Sequence, residues 1–378
     1  MTESLGLYIH IPFCLKKCNY CDFCSFPDAG DEKMIAYTEE LCRRMAEQAR
    51  RCGSHTVDTV YFGGGTPTLL PILCWEKLMS RIRTSYSLSE NAEITCECNP
   101  ATADLSYLSA LRKLGIHRLS IGLQSAHARE LSLLGRAHSF EDFRVCFNDA
   151  RKAGFDNISV DLMYGIPEQT VESFARTLDA VTVLAPEHVS AYGLKIEEGT
   201  LFAKRRNSLP LPDEDSEWEM YRLCSERLAD HGYKKYEISN FAKAGKESRH
   251  NLRYWRREDY LGFGVAAHSC FGGERFGNSR DIAAFLRGED ITSERGTLTR
   301  ADELYEFIIL GMRLAEGISE EEFFRLFGCS FKDFYPKTDT LIRQGYLKRE
   351  NGRISFTDRG FFVSNAILSD LPDIPEKN

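Results

Sequence analysis

No stretch of this 378-residue chain approaches the roughly 18 uninterrupted apolar residues of a membrane span, which argues against an integral membrane protein. Its start, MTESLGLYIHIPF, lacks the basic flank and long apolar centre of an export signal, so the expected location is the cytoplasm. Positive charge is not in excess. The 48 Lys and Arg face 56 Asp and Glu, and the net charge of −8 gives no global field to draw in a nucleic-acid backbone. No nucleic-acid partner is expected. Low-complexity tracts are absent, as are internal repeats on the scale of solenoids.

What is present is a folded composition, 43% hydrophobic and 28% charged, long enough for one large domain and a smaller one. Short apolar runs alternate with amphipathic stretches over the first 200 or so residues. GLYIHI, DTVYFG, EITCEC, RLSIGL, NISVDLMYG and HVSAYGLKI read as six buried strands. Between them, helices are expected over 31–51 with Asp31 as N-cap, 73–84, 104–114 with Asp104 as N-cap, 127–153 in two pieces, and 170–184. Such alternation implies a parallel sheet with crossover helices, here a partial (β/α)6 barrel, with an open doubly wound sheet as the alternative.

Beyond about residue 210 the texture changes. A proline-rich and acidic segment leads into a helical pattern, and YKKYEISNFA reads as one further strand. Helices over 301–314, 319–327 and 330–344, a hairpin GYLKRENGRISFT turning at Asn351-Gly352, and a helix from about 357 suggest a small winged-helix-like α+β domain. The expected division is 1–235 as the core domain, 236–290 as a connecting region and 291–378 as the C-terminal domain. Without a basic recognition stripe, the last of these reads as a protein-contact or substrate-lid module.

Thirteen cysteines in a chain without an export signal read as thiols. Nine are scattered through apolar or helical surroundings and read as small buried hydrophobes. Four fall within CLKKCNYCDFC, residues 14–24, in the loop leaving the first strand. A structural zinc site usually takes two separated pairs, and no second pair follows downstream. A redox pair needs only C-x-x-C and would leave Cys14 idle. Three thiolates from one short loop, Cys14, Cys18 and Cys21, can instead hold three corners of a [4Fe–4S] cluster. The uncovered iron would then be free for a small molecule bringing a nitrogen and a carboxylate oxygen.

The stretch YIHIPFCLKKCNYC resembles the radical S-adenosylmethionine (SAM) superfamily, and specifically its coproporphyrinogen-oxidase-like branch. YFGGGTPTLL, ECNP, RLSIGLQS, LLGRAHS, VDLMYGIPEQT and SRHNLRYW extend the resemblance along most of the chain. It implies a cluster on Cys14, Cys18 and Cys21 and SAM held by Tyr8, Tyr20, Gly64, Gly65, Thr66, Glu97, Gln124, Arg136 and Asp161. Tyr20 would pack near the adenine. The run Gly63-Gly64-Gly65 would let backbone groups approach the methionine amino group. Glu97, Gln124 and Asp161 would meet ammonium and ribose hydroxyls, and Arg136 would pair with the carboxylate. Taken singly, each of these side chains could equally be a strand-end cap, a surface ion pair or barrel filling.

Two departures separate this chain from the oxidising members of the branch. Their extra cysteine follows the third in the pattern C-x-C, whereas here Phe23 holds that position and Cys24 lies one further on, where it is expected to be a non-ligand. Only seven residues precede Tyr8, where those members carry an N-terminal arm. The heme chaperones of the branch are the closer resemblance, through CDF after the third cysteine and the word H-N-x-x-Y-W, here His250, Asn251, Tyr254 and Trp255. The resemblance implies heme as cargo, with His250 on its iron and Tyr254 and Trp255 against the macrocycle. It also implies a haemoprotein acceptor such as a respiratory enzyme, an electron donor such as flavodoxin or ferredoxin, and transient contact with a membrane. The alternative function is oxygen-independent oxidative decarboxylation of coproporphyrinogen III.

Overall fold

A computed structural model describes residues 3–27 and 29–372. Its centre is a run of parallel strands: β1 (Ser4–Ile11), β2 (Thr56–Gly64), β3 (Ser87–Cys98), β4 (Arg118–Gln124), β5 (Ile158–Tyr164) and β6 (His188–Gly193). Each strand pairs with the next in sequence, so the order never reverses. That order is a barrel wall rather than a doubly wound sheet, which would show a switch point. Alternate strand positions such as Leu5, Leu7, Ile9, Val60 and Phe62 are buried in the hydrophobic core that the covering helices complete.

Those helices are α1 (Asp31–Ala49), α2 (Ile72–Ser85), α3 (Leu105–Lys113), α4 (Ala128–Leu134), α5 (Phe140–Lys152) and α6 (Val171–Leu184). Asp104 caps α3 as expected, its side chain accepting from the Tyr107 N–H at 2.8 Å. Asp31 does not cap α1. Gly30 holds the cap position, and Asp31 lies in the first turn, where its charge suits the positive end of the helix.

The barrel stays open because β1 and β6 never meet. After α7 (Glu214–Asp230), YKKYEISNFA forms two short strands rather than one, β7 (Lys234–Lys235) and β8 (Asn240–Ala242), and β8 pairs antiparallel with β6. The interruption is at Glu237, which is fully buried and bridges to Leu314. Helix α8 (Arg249–Trp255) leads to β9 (Tyr260–Phe263), which pairs parallel with the free edge of β1. β10 (His268–Phe271), β11 (Glu274–Asn278) and β12 (Thr292–Thr297) extend that edge antiparallel.

Residues 236–290, expected to be a connector, thus supply strands to both margins of the large sheet. The cut expected at 291 passes through that sheet as well, because β12 is its outermost strand. β12 escaped notice because TSERGT is polar and exposed at every position. The C-terminal unit begins at α9 (Arg300–Gly311) and continues through β13 (Ile318–Ser319), α10 (Glu320–Phe327), α11 (Thr338–Arg343), β14 (Leu347–Glu350) and β15 (Arg353–Phe356), with a sheet order β13-β15-β14. The helix expected over 330–344 is broken before Thr338, where Pro336 cannot continue it.

Candidate functional site

The loop leaving β1 is fastened along its length, which fixes the three cysteines relative to the barrel mouth. The Phe26 N–H donates to the Pro12 carbonyl at 2.7 Å, and Phe13-Cys14 pairs with Phe26-Pro27. Asn19 reaches α4, donating from its backbone to Leu134 and from its side chain to Leu133. Gly135, at φ 73°, allows this contact, since a Cβ there would stand 2.9 Å from Asn19 Oδ1.

Cys14, Cys18 and Cys21 all line one cavity of about 340 Å³ at the carboxyl ends of the strands. Tyr20, Gly64, Gly65, Thr66, Glu97, Gln124, Arg136 and Asp161 line it too. The sulfurs have donors: Thr66 Oγ1 lies 3.6 Å from Cys14 Sγ, and Arg136 Nη1 lies 3.6 Å from Cys18 Sγ. Burial raises the Cys14 thiol and pushes Cys21 up to about 11, so metal uptake must displace protons. Among the described residues, no group of three or more His, Cys, Asp and Glu forms a site for a single metal ion. Ligands to separate irons of a cubane stand further apart than ligands to one ion. Three half-buried thiols with N–H and O–H donors on their sulfurs fit such a cluster.

The glycine run earns its place by close packing. A Cβ on Gly65 would lie 2.6 Å from the Phe13 carbonyl oxygen, and one on Gly64, at φ 109°, would strike the His10 ring at 2.4 Å. The backbone N–H groups here are already used: Gly64 donates to Glu97, Gly65 to Ile11 and Thr66 to Phe13. These bonds join the strand ends to the cysteine loop.

Glu97 is held by the Tyr61 hydroxyl at 3.0 Å on one oxygen and the Gly64 N–H at 3.0 Å on the other. Burial, with Asp161 as a nearby like charge, pushes its carboxyl up to about 7. Asp161 accepts from Ser120 at 2.9 and 3.0 Å and from Ser159 at 3.3 Å, yet burial still raises it. Gln124 has φ 70°, a left-handed backbone that costs a non-glycine residue about 1 kcal/mol or more. Gly122 makes room beside it, since a Cβ would meet Gln124 Nε2 at 3.0 Å and Arg136 Nη2 at 3.2 Å. Arg136 Nη2 donates to the Gly122 carbonyl at 2.8 Å, and its buried Nε has no partner. An arginine with an open nitrogen, two carboxylates and serine hydroxyls suit a zwitterion attached to a ribose, the polar parts of SAM.

Tyr8 departs from expectation. It does not line this cavity but stacks on Tyr61, which does, and its hydroxyl bonds His10 Nδ1 at 3.0 Å. It lines a neighbouring groove together with Cys24, which is thereby set apart from the other three cysteines. Arg118 is a lining residue the sequence did not single out. It opens β4, is 2% exposed, and its charge lowers Asp161 against the effect of burial. An arginine at a strand start carries no signal of facing inward.

The H-N-x-x-Y-W word forms α8, and the expectation that His250 presents itself to heme iron meets a structural objection. His250 is 1% exposed, and both ring nitrogens are occupied, Nδ1 by Thr59 Oγ1 at 2.9 Å and Nε2 by the Tyr254 hydroxyl at 2.8 Å. Burial, with Arg253 and Arg118 adding, pushes its pKa down to about 3, so the ring is neutral. It is a packed residue against Tyr61, at 5.3 Å between ring centres. Trp255 is turned away as well, its Nε1 donating to Glu237 at 2.9 Å. Asn251 does line the SAM-type cavity, and Tyr254 lines the neighbouring groove.

Comparison with known proteins agrees with this geometry. The family described as "Radical SAM superfamily" matches residues 8–181, and "HemN C-terminal domain" matches residues 298–363. The heme chaperone HemW of Bacillus subtilis is 34% identical over 375 residues, covering 96% of this chain and 97% of that protein. HemW of Escherichia coli is 34% identical over 369 residues, with 96% and 97% covered. Among solved structures, the coproporphyrinogen III oxidase HemN of Escherichia coli superposes with a TM-score of 0.85 at 26% identity, over 97% of this chain and 90% of that one.

Proposed function

The chain belongs to the HemW family of radical SAM proteins, and from that premise we propose that it is a heme carrier. It binds heme and passes it to a haemoprotein acceptor, with a [4Fe–4S] cluster and SAM at the barrel mouth. The observation that supports this most is the shared cavity, in which Cys14, Cys18 and Cys21 meet Glu97, Gln124, Arg136 and Asp161, in a chain matched end to end by heme chaperones. When bound, cluster and SAM supply one-electron cleavage of a carbon–sulfur bond. The protein's part is positioning. Arg136 orients the methionine carboxylate, Glu97 accepts from the ammonium, Asp161 and Gln124 take ribose hydroxyls, and Tyr20 lies beside the adenine. Gly64, Gly65 and Thr66 keep the cysteine loop against these groups.

The working location is the cytoplasm. Among the described residues no helix is long and apolar enough to cross a membrane, and meeting a respiratory acceptor requires only transient contact with one. A flavodoxin- or ferredoxin-like protein supplies the electron. The second reading, coproporphyrinogen III oxidation, is favoured by the 0.85 TM-score to that oxidase.

The test uses full-length protein purified without oxygen and reconstituted with iron and sulfide. Loaded with heme, it should restore activity to a heme-free respiratory subunit. Given coproporphyrinogen III, SAM and reductant, it should form no protoporphyrinogen. Formation of that product, with no heme transfer, would replace the carrier reading by the oxidase one.

A further inference from the structure

Beside the cysteine loop runs a groove of about 360 Å³ whose walls include Tyr8, Phe23, Tyr254, Tyr260, His268 and Arg280. Tyr254 and Tyr260 also line a hollow of about 470 Å³ against α9. Phe23 is 65% exposed and also lines the SAM-type cavity, so the groove and the cavity are neighbours across one side chain. An aromatic-walled space of this kind suits a macrocycle.

We propose that heme is seated in this groove with His268, not His250, on its iron; the proposal rests on the carrier reading. An imidazole ligand needs one nitrogen with a free lone pair and usually has its other N–H held by a carboxylate or carbonyl. Three residues in a row across the sheet meet that need. His268 on β10 pairs with Gly277 on β11, and Gly277 pairs with Glu294 on β12. Over the bare glycine, His268 Nδ1 approaches Glu294 Oε1 at 3.1 Å. A Cβ on Gly277 would lie 2.7 Å from that nitrogen and 2.8 Å from the glutamate oxygen, so glycine is what lets the two side chains meet.

Nε2 of His268 is left without a hydrogen-bond partner among the described residues, and the side chain is 61% exposed. His10, the other histidine of the groove, has both nitrogens engaged, by Tyr8 and by the Cys24 carbonyl. At the rim, Arg280 makes an exposed pair with Asp22 at 3.3 Å. Such a pair is weak, so a heme propionate can take the place of Asp22.

The test is a hemin titration of the full-length protein followed by absorbance. Wild type should bind one heme with a histidine-ligated Soret band. His268→Gly should lose that band and bind at least tenfold more weakly, and added imidazole should restore the band. Glu294→Gln should weaken binding by a smaller factor. If His268→Gly binds heme with wild-type affinity and spectrum while His250→Phe, checked for folding by circular dichroism, does not, the inference is overturned and the carrier reading stands. If wild type binds no heme at all, both fall.

Discussion

Glu97 sits at a carboxyl pKa of about 7, set by burial and by Asp161. Accepting from an ammonium requires the ionised form, whose share grows as pH rises through that value. SAM affinity, measured by equilibrium dialysis on the reconstituted protein, should therefore climb between about pH 6 and pH 8, and Glu97→Gln should bind more weakly with a flat profile. A sloping profile in the variant would assign the dependence elsewhere. At this scale the three cysteines were readable because a cluster needs thiolates at that spacing, whereas Glu97, Gln124, Arg136 and Asp161 were readable only through the family resemblance, each being an ordinary strand-end residue by itself. His250 was readable as a candidate but not as a packed ring, since no sequence shows that Thr59 and Tyr254 have taken both nitrogens. His268 was invisible because its carboxylate partner stands two strands away.

Helix α8 shows the same limit one level up. Seven residues carry His250 to Thr59, Trp255 to Glu237, and Arg253 to Asp58, the Ser4 carbonyl and the Asp259 carbonyl. Arg253 is 1% exposed and lies against Gly6, where a Cβ would stand 2.5 Å from its Cδ. The helix thus ties the β9 margin to β1 and β2 beside the open side of the barrel. Asp58→Ala would remove the nearer of the two carboxylates on that buried guanidinium, the other being Glu258 at 3.4 Å, and denaturant unfolding should show a loss of about 2 kcal/mol. A loss under about 1 kcal/mol would mean that Glu258 and the carbonyls hold Arg253 without Asp58. The six inner strands were legible from apolar runs, because parallel strands are buried on both faces. β7, β8 and β12 were not, being short or polar, with their place set only by pairing partners far along the chain.

At the scale of the whole molecule, two hydrophobic cores meet along α7 and the β7–β8 turn. The Trp218 and Phe362 rings lie 5.5 Å apart, Lys235 pairs with Asp358 at 2.6 Å, and the Ile238 N–H donates to the Arg313 carbonyl at 2.9 Å. The same C-terminal unit walls the hollow that shares Tyr254 and Tyr260 with the aromatic groove. One face of the protein therefore brings together the cluster loop, the groove and the second domain, which is the arrangement a carrier needs to couple cargo to cofactor. All of it presumes the cluster. The most direct test is iron, sulfide and zinc analysis of protein kept from oxygen, with electron paramagnetic resonance of the reduced sample before and after SAM. The account predicts about four irons and four sulfides per chain, a cubane signal that SAM alters, loss of the cluster in Cys14→Ser and its retention in Cys24→Ser. One zinc per chain, or a cubane signal indifferent to SAM, would contradict it.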